Sequence, residues 1–272
     1  MGTFLQTLFV GLRLGSVYAL IALGYTMVYG IIRLINFAHG DFIMVGGYTL
    51  VFTVPILTAA GLPAWTAVIL GFVICALVGV AVELIAYRPV RKKGTNMSAL
   101  ITAIAMSLLL ENLAQAIPAI GPDPKIASQI FSSGGITVSG VMLDYKTIYT
   151  IIISALIMCA LYLFTQKTKM GRAMRCVSED KEASILMGVN VNTTIVATFA
   201  IGAGLAAVAS LMYVAQYPKV YTTMGSLLGL KAFVAAVFGG IGSIPGAVIG
   251  AFIIGICENL LKGMKPVSYT HL

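Results

Sequence analysis

An all-α, polytopic transmembrane helical bundle of about seven to eight spans is the fold class the sequence predicts, and three observations lead there. Hydrophobic residues make up 59% of the 272 and charged residues only 10%, against about 25% charged in an ordinary soluble domain. The charge-free runs are long: residues 14–32 alone would cover about 30 Å of hydrocarbon at ~1.5 Å per residue. They are also continuous rather than alternating, which excludes a membrane β-barrel.

Each element follows from those runs in order. Residues 4–12 are apolar and end at Arg13; residues 14–32 form the first full span, closed by Arg33. Residues 42–60 and 64–82 come next, separated by Gly61, Leu62 and Pro63. Glu83 and the basic stretch YRPVRKK end the third span, and Pro89 is expected to stop that helix. Residues 97–120 carry Glu111 and finish in Pro118, Gly121, Pro122 and Pro124. Residues 121–146, polar and glycine-rich, read as an extramembrane and partly extended loop. Spans five and six are residues 147–164 and 191–217.

Residues 226–261 would make one straight helix roughly 50 Å long, too much for a single crossing. GGIGSIPG, with Gly239, Gly240, Gly242 and Gly246, breaks it. Backbone freed by a break must be buried in protein or line a watery path, and interrupted helices point to translocation sites. A tight turn between two short helices is the other reading. These four glycines are candidates for the path.

Orientation follows from the basic residues at the helix ends. Arg33, the stretch 88–93 and the polar island 165–192 hold ten of the seventeen Lys and Arg, against Arg13, Lys125, Lys146 and Lys219 opposite. The first group is therefore cytoplasmic and the loop 121–146 external. The net charge of +8 is a topology signal and not one for nucleic acid.

Between the first two spans, Asn36, His39 and Asp41 lie within six residues. Asp41 is placed to cap the second helix, and His39 reads as a hydrogen-bonding fixture at the interface. Gly46 and Gly47 permit close helix packing. Acids inside membrane helices are costly and point to function: Glu83 is expected to reach the interface, Glu258 lies near a span's edge, and Glu111 sits deepest, with no obvious partner. Asn36, His39, Asp41 and Glu111 join the path candidates. The four cysteines have no CxxC spacing and only two histidines exist, so neither a disulfide nor a metal site is expected. No GxxxxGK[ST], HExxH or GxSxG occurs, so no catalytic machinery is expected.

Four stretches, GSVYALIALGYTMVYGIIRLINFAHGD, AYRPVR, KMGRAMRC and KAFVAAVFGGIGSIPGAVIGA, resemble the membrane permeases of bacterial branched-chain amino acid ABC transporters, the LivH-type subunit more than its LivM-type companion. The resemblance runs from about Leu5 to about Glu258. It implies a multi-pass inner-membrane subunit, paired with a LivM-like permease, docked to cytoplasmic ABC ATPase subunits, and served by an extracytoplasmic amino acid binding protein. ATP is then used by the partners, and this chain needs no cofactor and is not itself an enzyme. It also implies an ATPase-coupling helix marked by an EAA-and-glycine pattern. Glu182, Ala183 and Ser184 followed by Gly188 match it loosely, with Glu179 and Asp180 suited to the helix N-terminus. An amphipathic helix lying on lipid headgroups is the alternative for that stretch.

A single permease domain, 1–263, with a coupling loop at 165–192, is expected. The tail 264–272, MKPVSYTHL, does not resemble the family and is expected to be a truncated or foreign end. Two other functions stay open at this point: a permease of the same kind for urea or short amides, and a secondary transporter using Glu111 or Asp41 as its ion site.

Overall fold

The computed structural model describes residues 2–131, 134–138 and 141–264. Among them, seven helices are long and apolar enough to cross a membrane. The tail expected to be foreign lies, past Met264, outside the described residues.

The axis of the bundle is α1 (Gly2–Ile32), which runs unbroken through Arg13. Arg13 does not interrupt it because the protein takes the charge in: the residue is 6% exposed and donates to Thr147 Oγ1 at 2.9 Å, in the first turn of α6 (Tyr145–Lys167). Around α1 pack α6, α9 (Val191–Gln216), α10 (Met224–Phe238) and α11 (Ile244–Met264). A second layer, α2 (Asp41–Ala59) and α3 (Thr66–Val82), lies against α9.

Small residues set these distances, since lipid tails supply no hydrophobic drive between helices and close backbone approach must replace it. A Cβ on Gly11 would lie 2.9 Å from Ile256 Cα, across the α1–α11 contact. One on Gly79 would lie 2.6 Å from Ala203 Cβ, between α3 and α9. One on Gly46 would lie 2.9 Å from Ala207 Cα, the close packing expected of Gly46.

Pro89 does not stop the third span. Glu83–Tyr87 forms a π-helical turn, and α4 (Arg88–Lys93) continues from it with Pro89 in its first turn. A proline there lacks only an N–H that a helix start can spare, and the wide turn before it relieves the clash an α-helical ladder would impose. Glu83 does not reach the interface either. It is fully buried because two guanidinium groups reach back to it, Arg91 at 2.6 Å and Arg88 at 3.3 Å.

The loop 121–146 is partly extended, as expected. Its strand β1 (Lys125–Ile126) pairs antiparallel with β4 (Lys219–Val220), while β2 (Gly135–Val138) pairs with β3 (Val141–Asp144). These strands and the Arg13–Thr147 bond mark one end of the bundle. The other end gathers the basic residues: Arg33 donates to the Ser178 carbonyl at 3.3 Å and Arg91 to Asn192 at 3.4 Å.

Residues 226–261 resolve into α10 and α11 joined by a short turn. α10 has 15 residues, about 22 Å of helix, short of the ~30 Å hydrocarbon core. The turn sits at the basic end, where a Cβ on Gly30 would lie 3.9 Å from Gly242 Cα.

Candidate translocation path and coupling face

The chain between α1 and α2 turns back into the bundle. Arg33 ends α1 at φ +57, a left-handed conformation uncommon outside glycine, with its N–H donating to the Tyr29 carbonyl at 2.7 Å. Phe37–His39 is a single 3-10 turn. Asn36 is 2% exposed, His39 0% and Asp41 1%, so α2 begins well inside the protein. His39 packs against Tyr25 in a tilted arrangement with ring centroids 4.5 Å apart, and a Cβ on Gly24 would collide with it. Gly24 lies about 12 Å up α1 from Ile32 at ~1.5 Å per residue. Gly40 then meets the backbones of Gly225 and Gly229 on α10. Irregular backbone at this depth is tolerated only when buried in protein, and here it is.

Asp41 is not the cap of α2. Gly40 holds that place in αR conformation, and no side chain caps the helix. Neither Asp41 oxygen accepts a hydrogen bond of ordinary geometry. Its polar neighbours are Ser107 and Glu111 on α5 (Asn96–Ala116). Glu111 has the partner the sequence did not name: Ser226 Oγ of α10 donates to it at 2.5 Å. One turn further along α5, Gln115 donates to Thr222 at 3.3 Å. At the inner side, Tyr87 donates to Asn36 Oδ1 at 2.8 Å. The structure thus brings Asp41 and Glu111 into one neighbourhood beside α10, while Asn36 turns to Tyr87 and His39 to Tyr25 and Gly24 of α1.

Gly239, Gly240, Gly242 and Gly246 are not part of it. Gly239 is ten residues beyond Gly229, about 15 Å along α10. The backbones of Gly239 and Gly246 touch, so neither could carry a Cβ. Gly240 and Gly242 hold φ +91 and +99 with no neighbour near, which is what a tight turn asks of glycine. The turn borders a cavity of about 370 Å³ shared with Thr26, Tyr162, Gln166 and Arg175.

Two membrane-level residues escaped the sequence reasoning, Lys231 and Tyr18. Glu258 is paired with Lys231 at 2.5 Å and Lys262 at 2.7 Å, and accepts from Tyr18 Oη at 2.8 Å. The signal was present: Lys231 is a lone charge in the apolar run of α10.

The polar island forms two helices at the basic end. α7 (Lys169–Glu179) buries Gly171, Met174 and Val177, one stripe at a spacing of three, half-buries Met170, Ala173 and Cys176 beside it, and leaves Arg172 and Arg175 exposed. α8 (Lys181–Leu186) is capped by Asp180, whose Oδ1 accepts from the N–H groups of Glu182 at 2.8 Å and Ala183 at 3.0 Å. Ser184 is its buried residue. Beyond it, Ile185, Leu186 and Met187 are 60%, 89% and 76% exposed, apolar surface at a polar end. Gly188 closes the helix at φ +80, with Val189 N–H donating to the Ser184 carbonyl at 2.9 Å. Burial lowers the Lys181 pKa from its ordinary value, and Arg91 and Arg33 nearby lower it further.

Comparison with known proteins completes the picture. Residues 7–272 match the family model described as branched-chain amino acid transport system / permease component. The chain is 41% identical over 268 residues to the high-affinity branched-chain amino acid transport system permease protein BraD of Pseudomonas aeruginosa, covering 94% of this chain and 85% of the relative. It is likewise 41% identical to LivH of Escherichia coli K12, over 98% of this chain and 88% of the relative. A probable LivH of Methanocaldococcus jannaschii is 30% identical over 90% of this chain and 77% of the relative.

Proposed function

The chain belongs to the branched-chain amino acid transport system permease family, and from that premise we propose that it is the membrane-spanning permease subunit of an ATP-driven importer of leucine, isoleucine and valine in the bacterial inner membrane. The observation that carries this reading is the 41% identity, along nearly the whole chain, to permeases named for that transport.

The geometry supports a division of labour. With no P-loop in the sequence, ATP binding falls to separate cytoplasmic subunits, and α8 offers them a grip. Glu179, Asp180, Glu182 and Ala183 start that short helix, Ile185 to Met187 present its apolar face, and Gly188 ends it. A helix laid into a groove buries such a face. α7 clamps this unit onto the bundle through its buried stripe, so a push on α8 reaches α6 and α1. A LivM-like permease completes the membrane unit, and a binding protein outside delivers the amino acid.

The polar residues gathered where α2 begins, Asn36, His39, Asp41 and Glu111, support a path between α2, α5 and α10. Gly239 to Gly246 form the turn bordering the cavity at its cytoplasmic end. Apolar walls suit branched side chains, each CH₂ buried being worth about 0.8 kcal/mol.

The test is uptake of labelled leucine by the reconstituted assembly in vesicles. Transport should need ATP hydrolysis and be competed by isoleucine and valine. Uptake that survives ATP depletion and stops with an uncoupler would assign the chain to ion-coupled transport. Competition by urea or short amides alone would move the substrate class.

A further inference from the structure

We propose that Asp41 and Glu111 form the subsite that takes the α-ammonium group of the transported amino acid. The inference rests on the transport reading above and names the chemical group recognised inside the membrane.

Asp41 is 1% exposed and neither of its oxygens accepts a hydrogen bond of ordinary geometry. An ionised carboxylate taken out of water without donors is strongly disfavoured. The nearby acid Glu111 compounds that cost, since like charges repel. No cation relieves it: the ion pairs among the described residues belong to Glu83 and Glu258. Two neutral hydroxyls are at hand, Ser226 donating to Glu111 and Ser107 beside Asp41, and neither carries a charge. The described residues also hold no group of three metal-ligating side chains. What fits between two such carboxylates is a compact cation with several hydrogens to give, and an ammonium group has three.

The surroundings fit the rest of the substrate. One turn beyond Asp41, Met44 and Val45 border a cavity of about 370 Å³ that is also lined by Leu110, next to Glu111 on α5, and by Ala114, one turn after it. The lining is almost entirely apolar, suited to a branched aliphatic side chain. The Ser226–Glu111 bond lies at the exposed edge of the cluster, so the acid pair is reached from the side on which α5 and α10 face outward.

The experiment measures leucine binding to the assembled permease–ATPase complex in nanodiscs, for wild type, Asp41→Asn and Glu111→Gln. Leucinamide, which keeps the ammonium group and loses the carboxylate, should compete in the wild type; 4-methylpentanoate, which has no ammonium group, should not. Asp41→Asn should weaken leucine binding at least tenfold while melting at or above the wild-type temperature, because it removes a buried unpaired charge. Glu111→Gln should weaken binding in the same direction. Equal leucine affinity in wild type and both variants, or competition by 4-methylpentanoate as strong as by leucinamide, would overturn the proposal. So would a sodium-dependent leucine affinity that Asp41→Asn abolishes, which would give the pair to a metal cation. A wild type that transports leucine while Asp41→Asn binds it normally removes only the subsite. A wild type that binds no branched-chain amino acid removes the transport reading with it.

Discussion

Glu83 Oε1 and the Arg91 guanidinium lie 2.6 Å apart, with the carboxylate fully buried and the arginine covering it from the basic end of the bundle. Removing one member of a buried pair leaves the other charge uncompensated. Arg91→Ala should therefore destabilise the protein by about 3 kcal/mol, read as a lower melting temperature in detergent. Arg88, at 3.3 Å and more exposed, should matter less. Adding Glu83→Gln to Arg91→Ala should recover most of the loss.

Between α3 and α9, a Cβ on Gly79 would lie 2.6 Å from Ala203 Cβ and 2.9 Å from the Phe199 carbonyl oxygen. Gly79→Val should cost about 1–3 kcal/mol by overpacking. Gly30→Ala, where the nearest atom is 3.9 Å away, serves as the control and should melt near the wild type.

At α8, Leu186 is 89% exposed, so Leu186→Asp should shift stability by no more than about 0.5 kcal/mol. Its co-purification with the ATPase subunit should nevertheless fall at least tenfold. Gly188→Leu should add a local cost of about 1–2 kcal/mol for a side chain at positive φ and loosen the same contact. Membrane insertion should survive both changes, which a protease-protection assay would establish.

Lys181 carries a pH signature. Its pKa is lowered, first by burial and then by Arg91 and Arg33, so its charged form is less favourable in the folded protein than in the unfolded chain. That penalty is present while Lys181 is protonated in the fold. It is relieved as pH rises through the folded pKa, so stability should climb there with pH. Lys181→Met should flatten that climb in melting curves recorded at alkaline pH.

The fold was legible in the sequence because membrane spans announce themselves by length and continuity. Residues 147–164 and 191–217 sit inside α6 and α9 with little adjustment. What was not legible came from partners distant in sequence. Arg13 looked like a stop until Thr147, 134 residues on, took its hydrogen bond. Glu83 looked like an interface residue because its arginines lie on a helix that Pro89 was expected to end. Asp41 looked like a cap because the residue before a helical run usually is one, whereas Gly40 takes that position so that the chain can pass between Gly225 and Gly229. No local pattern encodes that crossing. In the polar island, a helix N-terminus was legible from Glu179, Asp180 and Glu182, because acids at a helix start are a local device; the split into α7 and α8 at Asp180 and the closing role of Gly188 were not foreseen.

The π-helical turn at Glu83–Tyr87 has a consequence for how this chain can vary. Such a turn houses one residue more than an α-helix would over the same height. Loss of one residue within it would convert it to ordinary helix and hardly alter the length of the span. Its rotation hardly changes either, because the extra residue is taken up within a single turn, so Arg88 and Arg91 stay on the face of Glu83. Within this otherwise continuous helix, the wide turn is therefore the spot most forgiving of a one-residue deletion. Descendants that lose a residue between Glu83 and Arg88 keep the buried acid and both of its arginines.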